Sequence, residues 1–491
     1  MCLAPTSGAC RTRWRQRSPE PVRVIPILPA TEEPRLESLY EAQRKIYPRQ
    51  VTGSYARWRW AMVWLTQLVF YGLPWIEWGQ RQSVLFDLGA RRFYLFGLVL
   101  YPQDFIYLTG LLIVSALALF LFTAMAGRLW CGFACPQTVY TEMFLWIERK
   151  VEGDRAVRMR LDAAPMSLEK LVRKSYKHVL WIVVAMWTGF SFVGYFTPIR
   201  ELAMEFVQIR MGSWEVFWVF FYGLATYGNA GFLREQVCKY MCPYARFQSA
   251  MFDKDTLIVS YDTARGEPRG SRSRKADLAT LSLGACVDCN LCVHVCPTGI
   301  DIRDGLQYEC IGCAGCVDVC NTVMDKMSYP RGLIRFTTQN ALANGLDHAA
   351  VWRRTLRPRV LAYGAVLAAL CIGLLASLVA RTPLKVDVIR DRASLSRIVE
   401  GGRLENVYRL QVMNATEEAQ RYRVMAIGLP GLELDSDAQV EVGPAESRWL
   451  AVRLRIPYGS VAPGSHPIHF EIGELAGNAQ VSEKSIFLVP R

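Results

Sequence analysis

The sequence Cys286-Val-Asp-Cys289-Asn-Leu-Cys292-Val-His-Val-Cys296-Pro297 spaces four cysteines by two, two and three residues, and Cys310-Ile-Gly-Cys313-Ala-Gly-Cys316-Val-Asp-Val-Cys320 repeats that spacing. The tandem spacing is typical of bacterial ferredoxins with two 4Fe-4S clusters, in which the fourth cysteine of each run ligates the other cluster. We therefore expect two ligand sets. Set 1 comprises Cys286, Cys289, Cys292 and Cys320, and set 2 comprises Cys296, Cys310, Cys313 and Cys316.

Structural zinc is the alternative for paired cysteines. Zinc sites take four ligands, with longer gaps between the pairs than are found here. Eight cysteines in tandem favour iron–sulfur clusters instead. The second run departs from the pattern, because Asn321 stands where a proline usually follows the last cysteine. We still expect Cys320 to be a ligand, but the geometry of its loop is left open.

The composition indicates a membrane protein. The 491 residues are 52% hydrophobic and include 14 Trp and 22 Phe, which is high for a soluble chain. Of the 15 cysteines, eight lie in the tandem runs and four in two Cys-x3-Cys-Pro motifs, a usage that a secreted disulfide scaffold does not require. The thiol-rich region is therefore expected to face a reducing compartment. The arginine-rich start, with no early apolar run, does not predict a cleavable signal peptide.

Five stretches approach the ~20 apolar residues that a membrane-spanning helix needs. They are residues 58–75, 105–125, 179–199, 214–233 and 360–380. The segments that precede these stretches hold ten, three, ten, two and seventeen Lys and Arg residues in turn. By the positive-inside rule this alternation predicts a cytoplasmic N-terminus, cytoplasmic cysteine runs and an outer C-terminal domain. It also accounts for the net charge of +13, so no nucleic-acid partner is expected.

The two Cys-x3-Cys-Pro motifs come after the second and fourth predicted spans. They contain Cys131 and Cys135, and Cys238 and Cys242, which we call the membrane-edge cysteines. A spacing of four places each pair on one helical face, and the proline is expected to end or bend the helix just beyond it. Four thiols from two helices can form a pocket for an iron–sulfur cluster, Cu(I) or another thiophilic ion. Redox dithiols and simple packing are the alternatives; for Cys2, Cys10 and Cys371, which have no partner at ligand spacing, packing or terminal disorder is favoured.

Residues 382–491 change in character. Near-alternating runs at 407–413, 421–427, 438–442 and 449–456 are separated by Gly and Pro turns, which predicts an all-β sandwich without a disulfide. The composition of the basic segment 261–275 predicts a solvated linker. A contact with anionic lipid headgroups is the alternative.

These features predict a multi-domain membrane protein with about five transmembrane α-helices, an inserted two-cluster ferredoxin domain and a C-terminal immunoglobulin-like β-sandwich. The expected domains are a cytoplasmic N-terminal segment (1–57), a four-helix membrane region with both Cys-x3-Cys-Pro motifs (58–252), a cytoplasmic linker and ferredoxin domain (253–359), a fifth transmembrane helix (360–380) and a periplasmic β domain (382–491).

The chain resembles the cytochrome c oxidase accessory proteins of the FixG, RdxA and CcoG type. The resemblance rests on the motif of residues 130–137, on Glu235-Gln-Val-Cys-Lys-Tyr-Met-Cys-Pro-Tyr-Ala-Arg-Phe-Gln248, on Arg265-Gly-Glu-Pro-Arg-Gly270, on the double cysteine run and on the β domain. It implies an iron–sulfur protein of the bacterial cytoplasmic membrane that is needed to assemble a cbb-type haem–copper oxidase, with reduction of Cu(II) to Cu(I) as its activity. Oxidase subunits, or copper transporters and chaperones, are the partners that it implies.

The expected route for electrons begins at a cytoplasmic donor, passes the two clusters and ends at the membrane-edge cysteines, where copper is the substrate. Two other functions are consistent with the same residues. One is an electron-transfer subunit of the NapH and NosR type, linked to quinol or a periplasmic reductase. The other is an assembly scaffold in which the clusters are structural.

Overall fold

The computed structural model of the chain describes residues 45–274, 281–391, 396–436 and 438–490. Cys2, Cys10, most of the predicted N-terminal segment and Lys275 of the predicted linker lie outside these residues.

Long apolar helices make up the membrane region. Its helices are α1 (Ser54–Gly72), α2 (Phe105–Ala126), α3 (Leu129–Phe133), α4 (Pro136–Glu152), α5 (Arg155–Ala163), α6 (Leu168–Val193), α7 (Ile199–Val207), α8 (Ser213–Gly228) and α9 (Pro243–Met251). Between α8 and α9 the chain forms two wide π-helical turns, Asn229–Leu233 and Val237–Met241. Such turns are rare and often lie at functional sites.

Four helical segments in the described part of the chain are long and apolar enough to cross a membrane. They are Pro102–Ala126, Leu168–Val193, Ser213–Leu233 and Pro358–Val379. The remaining predicted span coincides with α1, a 19-residue helix that carries Arg57, Arg59 and Gln67 among its apolar residues. These polar side chains lower its hydropathy, although Trp58 and Leu68 on its surface are each 66% exposed. The chain is therefore a membrane protein with four clear candidate spans and α1 beside them.

The segment between α1 and α2 forms short antiparallel strands. They are β1 (Glu77–Trp78), β2 (Arg81–Gln82), β3 (Val84–Asp87), β4 (Arg92–Leu95) and β5 (Leu98–Leu100). The last two occupy a stretch that is too short to span a membrane. Tyr94 and Val99 pack with Met413 of the C-terminal domain, and Tyr101 Oη donates a hydrogen bond to Asn414 O at 2.9 Å. These strands thus hold the C-terminal domain beside the segment that links α1 to α2.

The ferredoxin region is a small sheet with short helices and long loops. It contains the antiparallel pair β6 (Ile258–Tyr261) and β7 (Ile334–Thr337), together with α10 (Thr263–Gly266), α11 (Leu291–His294), α12 (Gly315–Met327), α13 (Gln339–Asn344) and α14 (His348–Thr355). Asp318 on α12 accepts hydrogen bonds from the backbone N–H groups of Tyr55 (3.2 Å) and Ala56 (2.7 Å). A carboxylate at this position satisfies the free N–H groups of a helix start, so α12 caps α1.

After α15 (Pro358–Val379) the chain forms a two-sheet β domain. Its strands are β8 (Leu384–Arg390), β9 (Arg397–Val399), β10 (Arg403–Asn414), β11 (Gln420–Ile427), β12 (Glu433–Leu434), β13 (Gln439–Val442), β14 (Ser447–Pro457), β15 (Gly464–Glu474) and β16 (Gln480–Val489). One sheet has the order β12-β14-β10-β8, with β9 also paired to β10, and the other has the order β13-β11-β15-β16. Their inward residues form one core that includes Tyr408, Val452 and Phe470. The predicted β-sandwich is confirmed, and all four predicted strand segments lie within or largely overlap strands.

Candidate iron–sulfur and thiol site

The two cysteine runs have the same backbone shape. The residues on either side of the second cysteine have positive φ in both: Asp288 (51°) and Asn290 (55°) in the first run, and Gly312 (70°) and Ala314 (56°) in the second. These left-handed residues turn the loop so that successive thiols can point to one centre. Repetition of the turn despite different side chains indicates that the cysteine spacing governs the conformation.

The runs differ after their third cysteine. In the first run α11 ends at His294, and Pro297 comes after Cys296 outside the helix. In the second run α12 continues unbroken through Cys320 to Met327. A proline after Cys320 would interrupt this helix, whereas Asn321 continues it and accepts a hydrogen bond from the backbone N–H of Gly332 at 3.0 Å. This explains the departure from the usual sequence pattern.

Cys320 lies with the first run, as the crossed pairing predicts. A small cavity of about 30 Å³ is lined by Cys286, Cys289, Cys292 and Cys320 together. The charges that act on Cys320 are those of Cys292, Cys286 and Cys289. Cys289 is exposed, so this group of thiols reaches the surface. The four thiols of set 1 are therefore gathered in one place.

Set 2 is gathered in the same way, but deeper. Cys316 lies within electrostatic reach of Cys313, Cys310 and Cys296, in that order of strength. Cys313 is buried, and Cys296 Sγ is 3.3 Å from Thr298 Oγ1. Set 1 thus lies at the surface of the ferredoxin region and set 2 lies in its interior.

The donor chemistry of both sets fits an iron–sulfur cluster. Burial raises the pKa of Cys292 to about 11 and those of Cys310 and Cys320 to about 12. Such thiols lose their protons when cationic iron binds, because the metal supplies the charge that water would otherwise stabilise. Among the residues that the structure describes, no three His, Cys, Asp or Glu side chains have the geometry of a single-ion site. Zinc needs four ligands at about 2.0–2.3 Å, whereas a four-iron cluster holds its thiolates further apart.

Arg303 is a functional candidate that the sequence patterns do not reveal. Its side chain lines the cavity beside set 1 and counteracts the burial of Cys292 by lowering the pKa of that thiol. It is held by Asp301, by Asp288 Oδ1 at 2.6 Å and by Asn290 Oδ1 at 2.5 Å. Because Asp288 and Asn290 flank Cys289, Arg303 links the charge balance of the site to the shape of its loop. The sequence patterns do not reveal Arg303 because only the fold brings it beside the thiols, and its distance from them along the sequence follows no motif.

The predicted linker of residues 261–275 packs against the first ligand through its described part. Backbone hydrogen bonds join Ala285 N to Arg265 O (2.8 Å) and Cys286 N to Gly266 O (3.3 Å). Arg272 Nη1 donates to Cys286 O at 3.2 Å. The prediction of a solvated linker was wrong for Arg265, Gly266 and Arg272, because their backbone or side-chain groups pair with the segment that enters set 1. The alternative, a contact with anionic lipid headgroups, stays a prediction.

The membrane-edge cysteines do not lie on continuous helices, which corrects the expectation from their spacing. Cys131 is in the short helix α3, but Cys135 is extended (φ −60°, ψ 129°) at the start of α4. Cys238 is in a π-helical turn, and Cys242 is extended (φ −81°, ψ 109°) before α9. Proline disfavours helical geometry in the residue before it and is well suited to a first helical position. Each proline therefore begins a helix rather than ending one.

The four membrane-edge thiols nevertheless lie near one another. Cys238 lies within electrostatic reach of Cys135, Cys131 and Cys242. Burial raises the pKa of Cys131 to about 11 and that of Cys238 to about 12. Cys131 Sγ also donates a hydrogen bond to Oε1 of the fully buried Gln248 at 3.5 Å. Two sequence-distant motifs thus form one partly buried group of soft donors.

This group of thiols abuts the loop of set 2. A Cβ atom on Gly132 would lie 2.8 Å from Gly312 C and O and from Cys313 N, so the two backbones touch there. Arg128 joins three segments, because its guanidinium donates hydrogen bonds to Tyr308 O and Ala245 O. Cys238 and Thr298, which belong to the two regions, line a common small cavity of about 30 Å³. Set 2 and the membrane-edge cysteines are therefore neighbours.

We expect Gly132→Ala to destabilise this junction. The added methyl group would meet backbone atoms, which cannot rotate away, and overpacking of this kind costs about 1–3 kcal/mol. Thermal unfolding of the purified protein, monitored by the visible absorbance of its clusters, should show an earlier transition. Gly364→Ala in α15 is the matched control, because a Cβ there meets nothing within 4 Å. Equal transitions for the two variants would contradict the close contact.

Comparison with known proteins agrees with these features. A family model described as a 4Fe-4S dicluster domain matches residues 233–339, and one described as a 4Fe-4S binding domain matches residues 108–152, which include Cys131 and Cys135. A third, described as an IG-like fold at the C-terminal of FixG, matches residues 374–490.

Full-length relatives cover most of the chain. Nitrogen fixation protein FixG of Rhizobium meliloti is 40% identical over 464 residues, which is 86% of this chain and 88% of the relative. Protein RdxB of Cereibacter sphaeroides is 36% identical over 465 residues, 92% of this chain and 97% of the relative. Protein RdxA of the same organism is 36% identical over 441 residues, 88% and 92% of the two chains.

Proposed function

The chain belongs to the FixG family of membrane iron–sulfur electron-transfer proteins, and from that premise we propose that it reduces Cu(II) to Cu(I) for the assembly of a cbb-type haem–copper oxidase. The observation that carries the proposal is the contact between the loop of set 2 and the membrane-edge cysteines, at Gly132 and Gly312. This contact brings the proposed site of a one-electron carrier next to the membrane-edge thiols, which are soft donors. Reduction of copper needs both within a short distance.

We propose Cys286, Cys289, Cys292 and Cys320 as ligands of one cluster and Cys296, Cys310, Cys313 and Cys316 as ligands of the other. Each bound 4Fe-4S cluster would supply a centre that takes up and releases one electron. The protein itself would hold each cluster in position and insulate it from water. Arg303 balances charge beside set 1, and the loop of set 2 lies against α3.

The membrane-edge cysteines are the proposed copper site. Thiolates favour Cu(I) over Cu(II), so contact with Cys131, Cys135, Cys238 or Cys242 makes gain of one electron by the ion more favourable. Among the described residues, no three His, Cys, Asp or Glu side chains are placed to hold one metal ion together. Contact with one or two thiols is enough for a substrate ion, because the product ion has to leave. The proposed location is the bacterial cytoplasmic membrane, with the clusters cytoplasmic, the β domain periplasmic and oxidase subunits or copper chaperones as recipients.

The test is reduction of Cu(II) by purified protein. The chain would be reduced with dithionite under anaerobic conditions, freed of excess reductant and mixed with Cu(II), and Cu(I) would be measured with a colorimetric chelator. We expect about two Cu(I) ions per chain beyond the control, since two clusters hold one electron each. Free thiols also reduce Cu(II), so the control is the same iron-loaded chain that has not been treated with dithionite, which has the same free cysteines. Equal Cu(I) yields from the reduced and untreated chains would refute the proposal.

A further inference from the structure

A cavity of about 740 Å³ lies between α1, α4 and α6, apart from the membrane-edge cysteines. This volume is within the ~300–1,000 Å³ typical of small-molecule sites. Trp64 (63% exposed) and Leu68 (66% exposed) lie at its rim, on the apolar exterior of the helices. Its lining also includes Val295 and Pro297, which flank Cys296 of set 2. The cavity therefore extends from a lipid-facing surface to the ferredoxin region.

Aromatic rings form much of its wall. Trp60 and Trp146 lie with ring centroids 6.3 Å apart at 67°, and Tyr71 and Trp187 lie at the same separation. Surfaces of this kind favour a flat ring in stacked or edge contact. A flexible acyl chain would gain less from them.

The interior also contains two polar groups that lack a partner. None of the described residues hydrogen-bonds to Gln67 Oε1 or to Arg59 Nε, although each side chain is only 9% exposed. Gln67 and Arg59 both line the cavity. A buried group left unpaired is costly, so a ligand that satisfies them must both donate a hydrogen bond to the amide oxygen and accept one from the guanidinium. A phosphate ester can only accept.

We propose that this cavity binds a membrane quinol through its ring. The two hydroxyl groups of a quinol both donate and accept hydrogen bonds, the ring is flat, and the apolar tail can leave through the lipid-facing rim. Arg59, at the inner end, lies within electrostatic reach of Cys313 and Cys316 of set 2. The inference rests on the proposed cluster ligands and does not depend on copper as the acceptor.

Groups already described in the structure can accept the electrons and protons that quinol oxidation releases. Oxidation of one quinol to the quinone releases two electrons and two protons. The oxidant would be supplied, by chemical class, by two one-electron iron–sulfur centres held by set 1 and set 2. Glu142, whose carboxylate is 3.9 Å from Arg59 Nη1 and 3.2 Å from Arg149 Nη2, lines the cavity and is the proposed acceptor of the two protons in turn. Its side chain is 15% exposed, so it can pass each proton on to water.

Binding can be tested separately from turnover. Decylubiquinol would be titrated under anaerobic conditions into the detergent-purified, iron-loaded chain, which is reduced beforehand and freed of excess reductant so that no turnover occurs, and quenching of tryptophan fluorescence would give a Kd. We expect saturable quenching, an increase in Kd of up to about tenfold for Gln67→Leu, which removes one hydrogen bond, and loss of saturable quenching for Met143→Trp, which fills the cavity. Iron content and visible absorbance of each variant show that it is folded.

The matched control is Met62→Trp, because Met62 lies on α1 but lines a separate apolar groove with Ser115 and Leu119. It should leave the Kd within about twofold. Equal effects of Met62→Trp and Met143→Trp, no effect of Gln67→Leu, or displacement of decylubiquinol by phosphatidylglycerol would overturn the inference, the last by showing a lipid site. Failure of Cu(II) reduction with quinol binding intact would refute the proposed function alone.

Discussion

Replacing Cys320 by alanine is expected to halve the iron content of the protein, from about eight atoms per chain to about four. Cys320 lies with Cys286, Cys289 and Cys292, although in the sequence it belongs to the run of Cys310, Cys313 and Cys316. Loss of one thiolate ligand should empty one site and leave the other filled. Iron and acid-labile sulfide analysis of protein purified under anaerobic conditions measures this directly.

Paired substitutions test which cysteines share a cluster. Cys286→Ala combined with Cys320→Ala should lose no more iron than either change alone, since both belong to set 1. Cys310→Ala combined with Cys320→Ala should remove nearly all of it, since the two belong to different sets. If each run instead held its own cluster, these two outcomes would be reversed. Cys371→Ala in α15, at a cysteine outside every proposed ligand set, should keep the full iron content.

The grouping of the cysteines within each run was predictable because it is local, whereas their roles as cluster ligands stay a prediction. Spacings of two and three residues restrict how three thiols of one loop can point, and the left-handed residues beside Cys289 and Cys313 result from that requirement. The β domain was predictable for a similar reason, because alternation of apolar residues marks one face of a strand. Val407–Met413, for example, lies within β10.

The local structure predicted for the membrane-edge cysteines was wrong. Their spacing of four residues was interpreted as one turn of a continuous helix. Pro136 and Pro243 each begin a helix, and the cysteine before each is extended. Convergence of the two motifs was still expected, because their positions after two spans place them at one membrane face. The effect of a proline on the residue before it outweighed the helical spacing.

Other parts of the site depend on contacts that the sequence does not encode locally. Arg303 reaches Asp288 across 15 residues, and Arg128 reaches Tyr308 across 180. The cavity proposed to bind quinol is lined by residues of α1, α4 and α6 and by the segment around Cys296. Gln67 was visible only as a polar residue within an apolar stretch, and its meaning depends on the residues that lie opposite it in the fold.

Replacing Cys131 and Cys135 together by serine is expected to lower the rate of Cu(II) reduction by about tenfold or more while iron content stays unchanged. Loss of groups that only orient metal ligands typically costs about 10–100-fold, and removal of direct soft ligands should cost at least as much. Serine keeps the size of each side chain, and neither residue belongs to set 1 or set 2. Rates would be measured under dithionite-reduced, anaerobic conditions with the Cu(I) chelator.

The second motif provides the decisive comparison for this prediction. Because Cys238 lies close to Cys131 and Cys135, Cys238→Ser with Cys242→Ser should reduce the rate by a similar factor, and the quadruple variant should be no worse than either double variant if the four thiols act as one site. Cys371→Ser should keep the normal rate. Normal Cu(II) reduction in the Cys131 and Cys135 variant, with clusters intact, would remove the membrane-edge cysteines from the mechanism, since electrons would then reach copper without them.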